Sequence, residues 1–311
     1  PLIPAHTLGQ EGWHYELDDI DAPLTYKGVV FNEMKGAYSD PENILARYVQ
    51  QSLFPDTAYG LDSGGDPREI PNLTYVQFKA FHERYYHPSN AYIYFYGDDD
   101  PEQRLRLMSE YLQAFEPIQV DSSIALQPLF NQPQRLYVDF DPGDDPQARK
   151  GMLSVNWMLG ENKDPLRMLG VQILTHILIG TPAAPLRKAL IDSGLGEDMV
   201  GGLETEMRQG FFACGLKGMV VDEAFSLVDG KSLEDLIRQT LSDLADNGID
   251  PETVAASMNT VEFSLRENNT GAFPRGLLLM LRALNTWLYD GNPFQSLAFE
   301  APLREIQERL A

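Results

Sequence analysis

One glutamate stands out among the residues that could do chemistry, because its position makes a carboxylate costly. The apolar residues Tyr26, Val29 and Val30 are spaced i, i+3 and i+4, which predicts one face of a helix. Glu33 falls on the same face at i+7, and we place this helix within Leu24–Met34. A carboxylate on an apolar face costs free energy unless it binds a cation or a hydrogen-bond donor. Composition alone favours an ordinary surface glutamate, so both interpretations of Glu33 stay open.

The histidine spacing does not supply a zinc site. A catalytic zinc site needs three protein ligands, of which at least two lie at a spacing that one backbone element can present. The one close pair is His82 and His87, and a separation of five turns their rings about 140° apart on a helix. We therefore expect this pair to mark a helix end, and we expect His14 and His176 to be structural.

The remaining motifs point away from covalent and phosphate chemistry. The sequence contains no Gly-x-Ser-x-Gly elbow, no phosphate-binding glycine-rich loop and no cysteine pair. We expect Ser63-Gly64-Gly65 to be a tight loop, because it lacks the flanking strand and the lysine that a phosphate cradle needs. Cys214 cannot form an internal disulfide and lies among apolar residues, which predicts a buried, unreactive thiol.

Helices and strands are mixed along the chain, and their order predicts the fold class. After the Glu33 helix, the predicted elements are a helix from Asp40 to Pro55, a helix from Thr74 to His87, a strand at Ala91–Tyr96, a helix from Asp100 to Phe115, strands at Arg135–Asp141 and Gly151–Leu159, helices at Pro165–Ile179 and Pro185–Ser193, a hairpin of Asp198–Arg208 and Phe211–Met219, helices at Lys231–Asn247 and Pro251–Glu267, and a helical region after Pro274. Because there is no strict βαβ rhythm, we expect an α+β protein with largely antiparallel sheets covered by helices.

The length of the chain predicts two domains. At roughly 100–200 residues per domain, one domain would be too few for 311 residues. Periodicity is lost and prolines accumulate between Glu116 and Gln134, which predicts a linker. The predicted division is a first domain over 1–118, a linker over 119–134 and a second domain over 135–311.

The charge balance excludes one class of partner. Asp and Glu number 46 against 24 Lys and Arg, which gives a formal net charge of −22. Because an extended polyphosphate surface is repelled by this charge, we do not expect nucleic-acid binding. No apolar run approaches the roughly 20 residues of a membrane helix, so we expect no membrane span. The first residues include no initiator methionine and no targeting segment, and we interpret the chain as a piece of a longer polypeptide.

Five sequence blocks together resemble a known peptidase family. The blocks are Gly28–Gly36 (GVVFNEMKG), Leu53–Asp56 (LFPD), Ser63–Pro67 (SGGDP), Tyr86–Asn90 (YHPSN) and Gly180–Lys188 (GTPAAPLRK). In content and order they resemble the presequence protease branch of the pitrilysin-type zinc peptidases. The resemblance spans nearly the whole chain.

The resemblance implies a zinc metalloendopeptidase of four homologous α+β domains that encloses and degrades unfolded peptides, such as cleaved targeting presequences. The chain would be the rear part of the first domain and most of the second. The family's zinc site uses an inverted His-x-x-Glu-His motif, which supplies two ligands and the general base, together with a glutamate on a following helix. By motif match that glutamate is Glu33, and the implied cofactor is zinc.

The chain departs from the family pattern at the active site. No His-x-x-Glu-His occurs in the sequence, and the family places this motif upstream of the first residue. The family's substrate-binding arginine and tyrosine would likewise lie beyond Ala311. We therefore assign no catalytic residue within the chain and expect the segment alone to be inactive. The expected partners are unfolded peptides and the remainder of the same polypeptide. The alternative is a non-catalytic peptide-binding or assembly module with the same fold.

The resemblance also implies a peptide-binding surface in the second domain. Related peptidases anchor the N-terminal part of a substrate on an exposed strand edge. The candidate residues are Gly180 and Thr181 in one turn, and Gly201 and Gly202 in a strand. The alternative, that these glycines serve only tight turns, stays open. The compartment also stays open, because the family works in the mitochondrial matrix or plastid stroma of eukaryotes and in the cytoplasm of bacteria.

Overall fold

The structure is a computed structural model that describes residues 3–141, 150–222, 226–268 and 270–310. By its internal contacts, the chain divides into two units between Phe140 and Asp141. The predicted linker over 119–134 falls within the first of these units, and the predicted domain limits stay a prediction. Gln127 in this stretch is 3% exposed, and its side-chain amide accepts a hydrogen bond from the Asp56 N–H and donates one to the Asp56 carboxylate. This part of the chain is therefore anchored to the first unit.

The first unit is mainly helical. A short antiparallel hairpin pairs β1 (His14–Glu16) with β2 (Thr25–Lys27). The helices are α1 (Ala5–Thr7), α2 (Val29–Ala37), α3 (Pro41–Leu53), α4 (Tyr75–Tyr85) and α5 (Pro101–Leu112). The helix predicted around Glu33 is thus confirmed from Val29 onwards. The residues before it form a strand instead, because Thr25–Lys27 pairs with His14–Glu16.

The second unit is built on a three-stranded antiparallel sheet with the order β3, β5, β4. Its strands are β3 (Lys150–Glu161), β4 (Asp198–Glu204) and β5 (Gln209–Val220). Its helices are α6 (Pro165–Ile179), α7 (Pro185–Asp192), α8 (Gly230–Asn247), α9 (Pro251–Glu267), α10 (Arg275–Trp287) and α11 (Glu300–Leu310). This arrangement confirms the predicted α+β class with an antiparallel sheet, including the hairpin formed by β4 and β5.

Two hydrophobic cores lie in the second unit. In the larger core, α6, α7 and α8 pack against β5. Phe212, Cys214 and Leu216 alternate along β5 and all face this core, so the helices cover one face of the sheet. The smaller core joins α6, α9 and α11 through Ile173, Val261 and other apolar residues.

Four helices begin at an Asp-Pro pair, which is why their starts could be predicted. In α3, α5, α6 and α9 the aspartate side chain accepts a hydrogen bond from a backbone N–H of the first turn. The following proline has no N–H to satisfy and already has a helical φ. Both features act within a few residues, so they can be recognised without the tertiary structure.

Two of the predicted strands are wrong. Ala91–Tyr96 and Arg135–Asp141 are described by the structure, but neither segment is a strand. A strand needs a hydrogen-bonded neighbour, and neither segment pairs with any strand in the described part of the chain. The side chains of Tyr92 and Ile93 are accordingly 43% and 41% exposed.

Candidate metal-ligand and peptide-binding residues

Glu33 lies in the middle of α2, which begins one residue after β2. Gly28 precedes α2 with a φ of 147°, and a Cβ at this position would lie 2.2 Å from the carbonyl oxygen of Gly12. Only glycine fits so close to another backbone segment. Phe31 is the buried residue of α2, and the centroid of its ring lies 5.8 Å from that of Tyr26 in β2. The β1–β2 hairpin therefore anchors the first turn of the helix that carries Glu33.

The side of α2 that carries Glu33 is exposed. Glu33 itself is exposed, and Val29 and Val30 on the same side are 47% and 37% exposed. The apolar face on which the sequence places Glu33 is therefore not buried in this structure. Periodicity identifies the residues that share a helix face, but it does not show whether another element covers that face. In the described part of the chain, no element packs on Val29 and Val30 closely enough to bury them.

A complete metal site is not found among the described residues. They contain no group of three or more His, Cys, Asp or Glu that could hold a metal ion. As predicted, the close histidine pair marks a helix end: His87 accepts a hydrogen bond from the Ser89 N–H just after α4, and His82 stacks on Tyr86. The Glu33 carboxylate has the donor chemistry that suits zinc, but the described residues do not supply the other ligands of a three-ligand site.

β4 is an edge strand, and it carries Gly201 and Gly202. Among the described strands it pairs only with β5. Such an edge offers backbone N–H and C=O groups to an extended peptide. Gly201 has a φ of 101°, and a Cβ on it would lie 2.4 Å from the carbonyl oxygen of Ala213. A Cβ on Gly202 would have no atom within 4 Å. Gly201 is therefore required by the backbone geometry, whereas Gly202 leaves open space on one face of the edge strand.

Gly180 and Thr181 form the start of the connection between α6 and α7. A Cβ on Gly180 would lie 2.6 Å from the ring carbon Cδ2 of His176, so glycine is required here by packing. Thr181 is exposed, and its carbonyl oxygen accepts a hydrogen bond from the Ala184 N–H. Both α6 and α7 contact β4. The close contacts at Gly180 and Gly201 give these two glycines structural roles, whether or not a peptide binds nearby.

Asn162 positions the turn between β4 and β5, a role that the sequence did not indicate. Its Nδ2 donates hydrogen bonds to the carbonyl oxygens of Thr205 and Met207 at 3.0 and 2.7 Å. Its backbone N–H donates to the carbonyl oxygen of Arg208 at 2.9 Å, and the residue is 5% exposed. A single asparagine at the end of a strand has no periodicity or spacing signal. Only contacts with residues more than forty positions away reveal its role.

Comparison with known families identifies the family of the chain. The family model described as the peptidase M16 inactive domain matches residues 72–261. The chain belongs to the M16 peptidase family. This finding confirms the resemblance to pitrilysin-type peptidases that the sequence blocks indicated.

Relatives of this M16 chain include proteins named presequence proteases. Presequence protease 1, chloroplastic/mitochondrial, of Arabidopsis thaliana is 53% identical over 99% of the chain. Protein HypA of Clostridium perfringens is 41% identical over 97% of the chain, and the mitochondrial presequence protease of Mus musculus is 32% identical over 100% of it. The matched regions make up 28%, 30% and 30% of these three proteins. The chain therefore spans less than a third of the length of these relatives.

Solved structures of M16-like proteins share the fold of this chain. A putative M16-like peptidase from Alicyclobacillus acidocaldarius has a TM-score of 0.55 at 19% identity, covering 91% of this chain and 64% of its own. The M16 inactive domain from Pseudomonas fluorescens has a TM-score of 0.60 at 18% identity, covering 90% and 63%. At such identities the similarity shows the fold alone, and it supports the α+β class. In the described ranges of this M16 chain, no helix combines the length and apolar character needed to cross a membrane.

Proposed function

We propose that the chain is part of a zinc metalloendopeptidase that degrades unfolded peptides, such as cleaved targeting presequences, inside a closed chamber. The observation that carries this proposal is the 53% identity over 99% of the chain to a protein named presequence protease 1. Because the chain spans 28% of that relative, the activity would belong to a longer polypeptide. The segment alone would be inactive, since its described residues hold no three-ligand metal site.

In this proposal Glu33 is the third zinc ligand. The other two ligands and the general base would come from a His-x-x-Glu-His helix elsewhere in the same polypeptide. Zinc, when bound, lowers the pKa of a coordinated water to about 7 and polarises the peptide carbonyl. The part of this chain is to hold an accessible carboxylate on α2. The exposed Val29 and Val30 support this role, because an apolar strip beside Glu33 provides a surface on which a second helix can pack.

The edge of β4 is the proposed site for the N-terminal part of a peptide substrate. Gly201 and Gly202 lie in this edge strand, and Gly180 and Thr181 lie in the turn between two helices that contact it. Main-chain hydrogen bonding along a strand edge is indifferent to peptide sequence, which suits an enzyme that degrades many different peptides. The net charge of −22 favours basic peptides, and it disfavours nucleic acids as partners.

Replacing Glu33 with Gln in the full-length gene product tests the metal role. Glu33→Gln keeps the size of the side chain but removes its charge, so we expect the protein to lose tight zinc retention and peptide cleavage. Glu110→Gln, at an exposed position of α5, is the matched control and should keep both. The measurements are zinc content after dialysis against a weak chelator and cleavage of a fluorogenic presequence peptide. Normal values of both in Glu33→Gln would contradict the assignment.

The proposed compartment follows the relatives. Proteins named as chloroplastic or mitochondrial are among them, which favours the mitochondrial matrix or the plastid stroma if the source is a eukaryote. If the source is a bacterium, we propose the cytoplasm. Fractionation of the source cells followed by immunodetection of the chain distinguishes these compartments.

A non-catalytic module is the second candidate function. It is favoured by the family model itself, which describes an inactive domain. As a peptide-binding or assembly module, the full-length gene product would bind unfolded peptides without retaining zinc and without cleaving them. Zinc retention together with cleavage would contradict this alternative.

A further inference from the structure

The loop Asp62–Pro67 packs against α2 next to Glu33. A Cβ on Gly64 would lie 2.3 Å from the sulfur of Met34 and 2.9 Å from its terminal methyl carbon. Both residues are partly buried, and a side chain at position 64 would push the flexible end of the Met34 side chain away from the loop. Because Met34 directly follows Glu33 in α2, the first contact of the loop lies one residue from the proposed metal ligand.

The same loop also pairs with Arg47 of α3, which in turn contacts the residue after α2. Asp62 accepts a hydrogen bond from the Gly64 N–H at 3.0 Å, and its other carboxylate oxygen lies 3.8 Å from Nη1 of Arg47. The guanidinium carbon of Arg47 lies 3.1 Å from the ring centroid of Tyr38, the residue that follows α2. The Arg47 and Asp62 side chains are only 14% and 20% exposed, and a cation–π contact is stronger when it is shielded from water. Through Arg47 of α3, the loop is therefore linked to the residue that ends α2.

The loop is also held by bonds of its own. Gly65 has a φ of 90°, which favours glycine, and its N–H donates to the carbonyl oxygen of Asp62 at 3.1 Å. The Arg68 side chain pairs with both carboxylate oxygens of Asp66, whose Oδ1 also accepts the Arg68 backbone N–H. A loop with a defined conformation can restrict the movement of the helix that it contacts.

We propose that the loop Asp62–Pro67 is a buttress that sets the position of the Glu33 carboxylate. Gly64 and Arg47 are positioning residues, because Gly64 contacts Met34 in α2 and Arg47 contacts Tyr38, the residue that directly follows α2. A metal ligand has to be held to within about 0.5 Å of its productive position by the groups that support it. This role depends on the proposed metal role of Glu33. It gives a function to the Ser63–Pro67 block, which had none assigned.

The test uses four variants of the full-length gene product. Gly64→Ala pushes on Met34, Met34→Ala removes the thioether, and the double variant Gly64→Ala/Met34→Ala removes the clash. Gly36→Ala is the control on the same helix, because a Cβ at Gly36 has no atom within 4 Å. The measurements are the zinc dissociation constant, by competition with a chelator, and the visible absorption spectrum of the Co²⁺-substituted protein, which reports the ligand geometry.

Gly64→Ala should weaken zinc binding about 10–100-fold, as is typical when a group that orients a metal ligand is disturbed. The double variant should return to the affinity of Met34→Ala, and Gly36→Ala should stay within about threefold of the wild type. Unchanged affinity with an unchanged cobalt spectrum in Gly64→Ala would contradict the buttress. A double variant that binds zinc more weakly than Met34→Ala would contradict it as well.

Two further variants keep the test decisive. If Gly64→Ala does not fold, Arg47→Lys tests the second contact, because it keeps the charge but loses the planar group that stacks on Tyr38. Weaker zinc binding is again expected, and normal zinc binding would contradict the proposal.

Glu33→Gln separates the proposed metal role of Glu33 from the proposed role of the loop. Normal zinc content in Glu33→Gln contradicts the metal role, whereas zinc loss in Glu33→Gln with normal zinc binding in Gly64→Ala contradicts only the buttress.

Discussion

Cys214 illustrates how burial removes the chemistry that a side chain has in water. It is fully buried in β5, and this burial raises the pKa of the thiol from 9.0 to about 12. The thiolate is the reactive form of cysteine, so a thiol that stays protonated is a poor nucleophile. The prediction of a buried, unreactive thiol from the apolar sequence around Cys214 agrees with this environment.

We predict that Cys214 in the folded chain resists thiol reagents at about pH 8 and reacts completely only after unfolding. Labelling with a chromogenic disulfide reagent, with and without denaturant, measures both rates. The pKa of the Cys214 thiol is higher in the folded chain than in the unfolded chain. The stability that the protonated thiol contributes is therefore fully present below pH 9.0, and it is lost as the pH rises towards about 12. Cys214→Ala should therefore lose less stability over this alkaline range. Rapid labelling of the native chain would contradict the prediction.

At the scale of a secondary-structure element, β4 contains two adjacent glycines that are there for different physical reasons. Gly201 has a left-handed φ and lies against the backbone of β5, whereas Gly202 has open space where a side chain would be. Sequence alone shows only a pair of glycines in a strand. The structure therefore separates a glycine that the backbone geometry requires from one at which a side chain would meet no other atom.

We predict that Gly201→Ala lowers the free energy of unfolding by about 1–3 kcal/mol, because its Cβ is forced against Ala213 in an unfavourable backbone conformation. Gly202→Ala should change the same quantity by less than about 1 kcal/mol. Urea denaturation followed by circular dichroism measures both. Equal effects of the two substitutions would show that the backbone strain at Gly201 is not important.

The peptide-binding role of the same strand can be tested once stability is known. Gly202→Val should weaken binding of an extended peptide to the full-length gene product by about tenfold, or about 1.4 kcal/mol, because its branched side chain fills open space on a face of β4 that the side chains of an added peptide strand would adjoin. Fluorescence anisotropy of a labelled peptide gives the dissociation constant. Normal peptide affinity in a folded Gly202→Val variant would argue against the β4 edge as the binding site.

At the scale of the whole molecule, the two units bury apolar surface to different extents. Both core clusters found among the described residues lie in the second unit. The first unit leaves large apolar side chains exposed, including Phe95 at 43%, Leu105 at 67% and Tyr111 at 74%. Since apolar burial is the main favourable contribution to folding, the second unit has the stronger basis for independent stability.

We predict that residues 141–311 expressed alone unfold in one cooperative transition, whereas residues 1–140 expressed alone do not. Urea denaturation monitored by near-ultraviolet circular dichroism tests this, because fixed aromatic side chains give a signal there only in a packed state. Binding of a hydrophobic dye should be strong for the first fragment and weak for the second. A cooperative first fragment, or a second fragment without a transition, would contradict the prediction.

Success and failure of the sequence-based predictions follow the distance over which each signal acts. The helix starts at Asp40 and Asp164 could be predicted because each aspartate accepts hydrogen bonds from backbone N–H groups no more than three residues away. The strand predicted at Ala91–Tyr96 failed because a strand is stabilised by a partner, and the described part of the chain supplies none. The roles of Gln127 and Asn162 were missed because their partners lie 71 and more than forty positions away.

The sequence by itself determined most helix positions, the α+β class, the family resemblance and Glu33 as the candidate metal ligand. Only the tertiary structure decided that the face of α2 around Glu33 is exposed and that Gly64 packs on Met34. The physical reason is the range of the interactions. Helix caps and hydrophobic periodicity depend on residues a few positions apart. Exposure, strand pairing and side-chain contacts depend on residues that are distant in the chain and come together only when it folds.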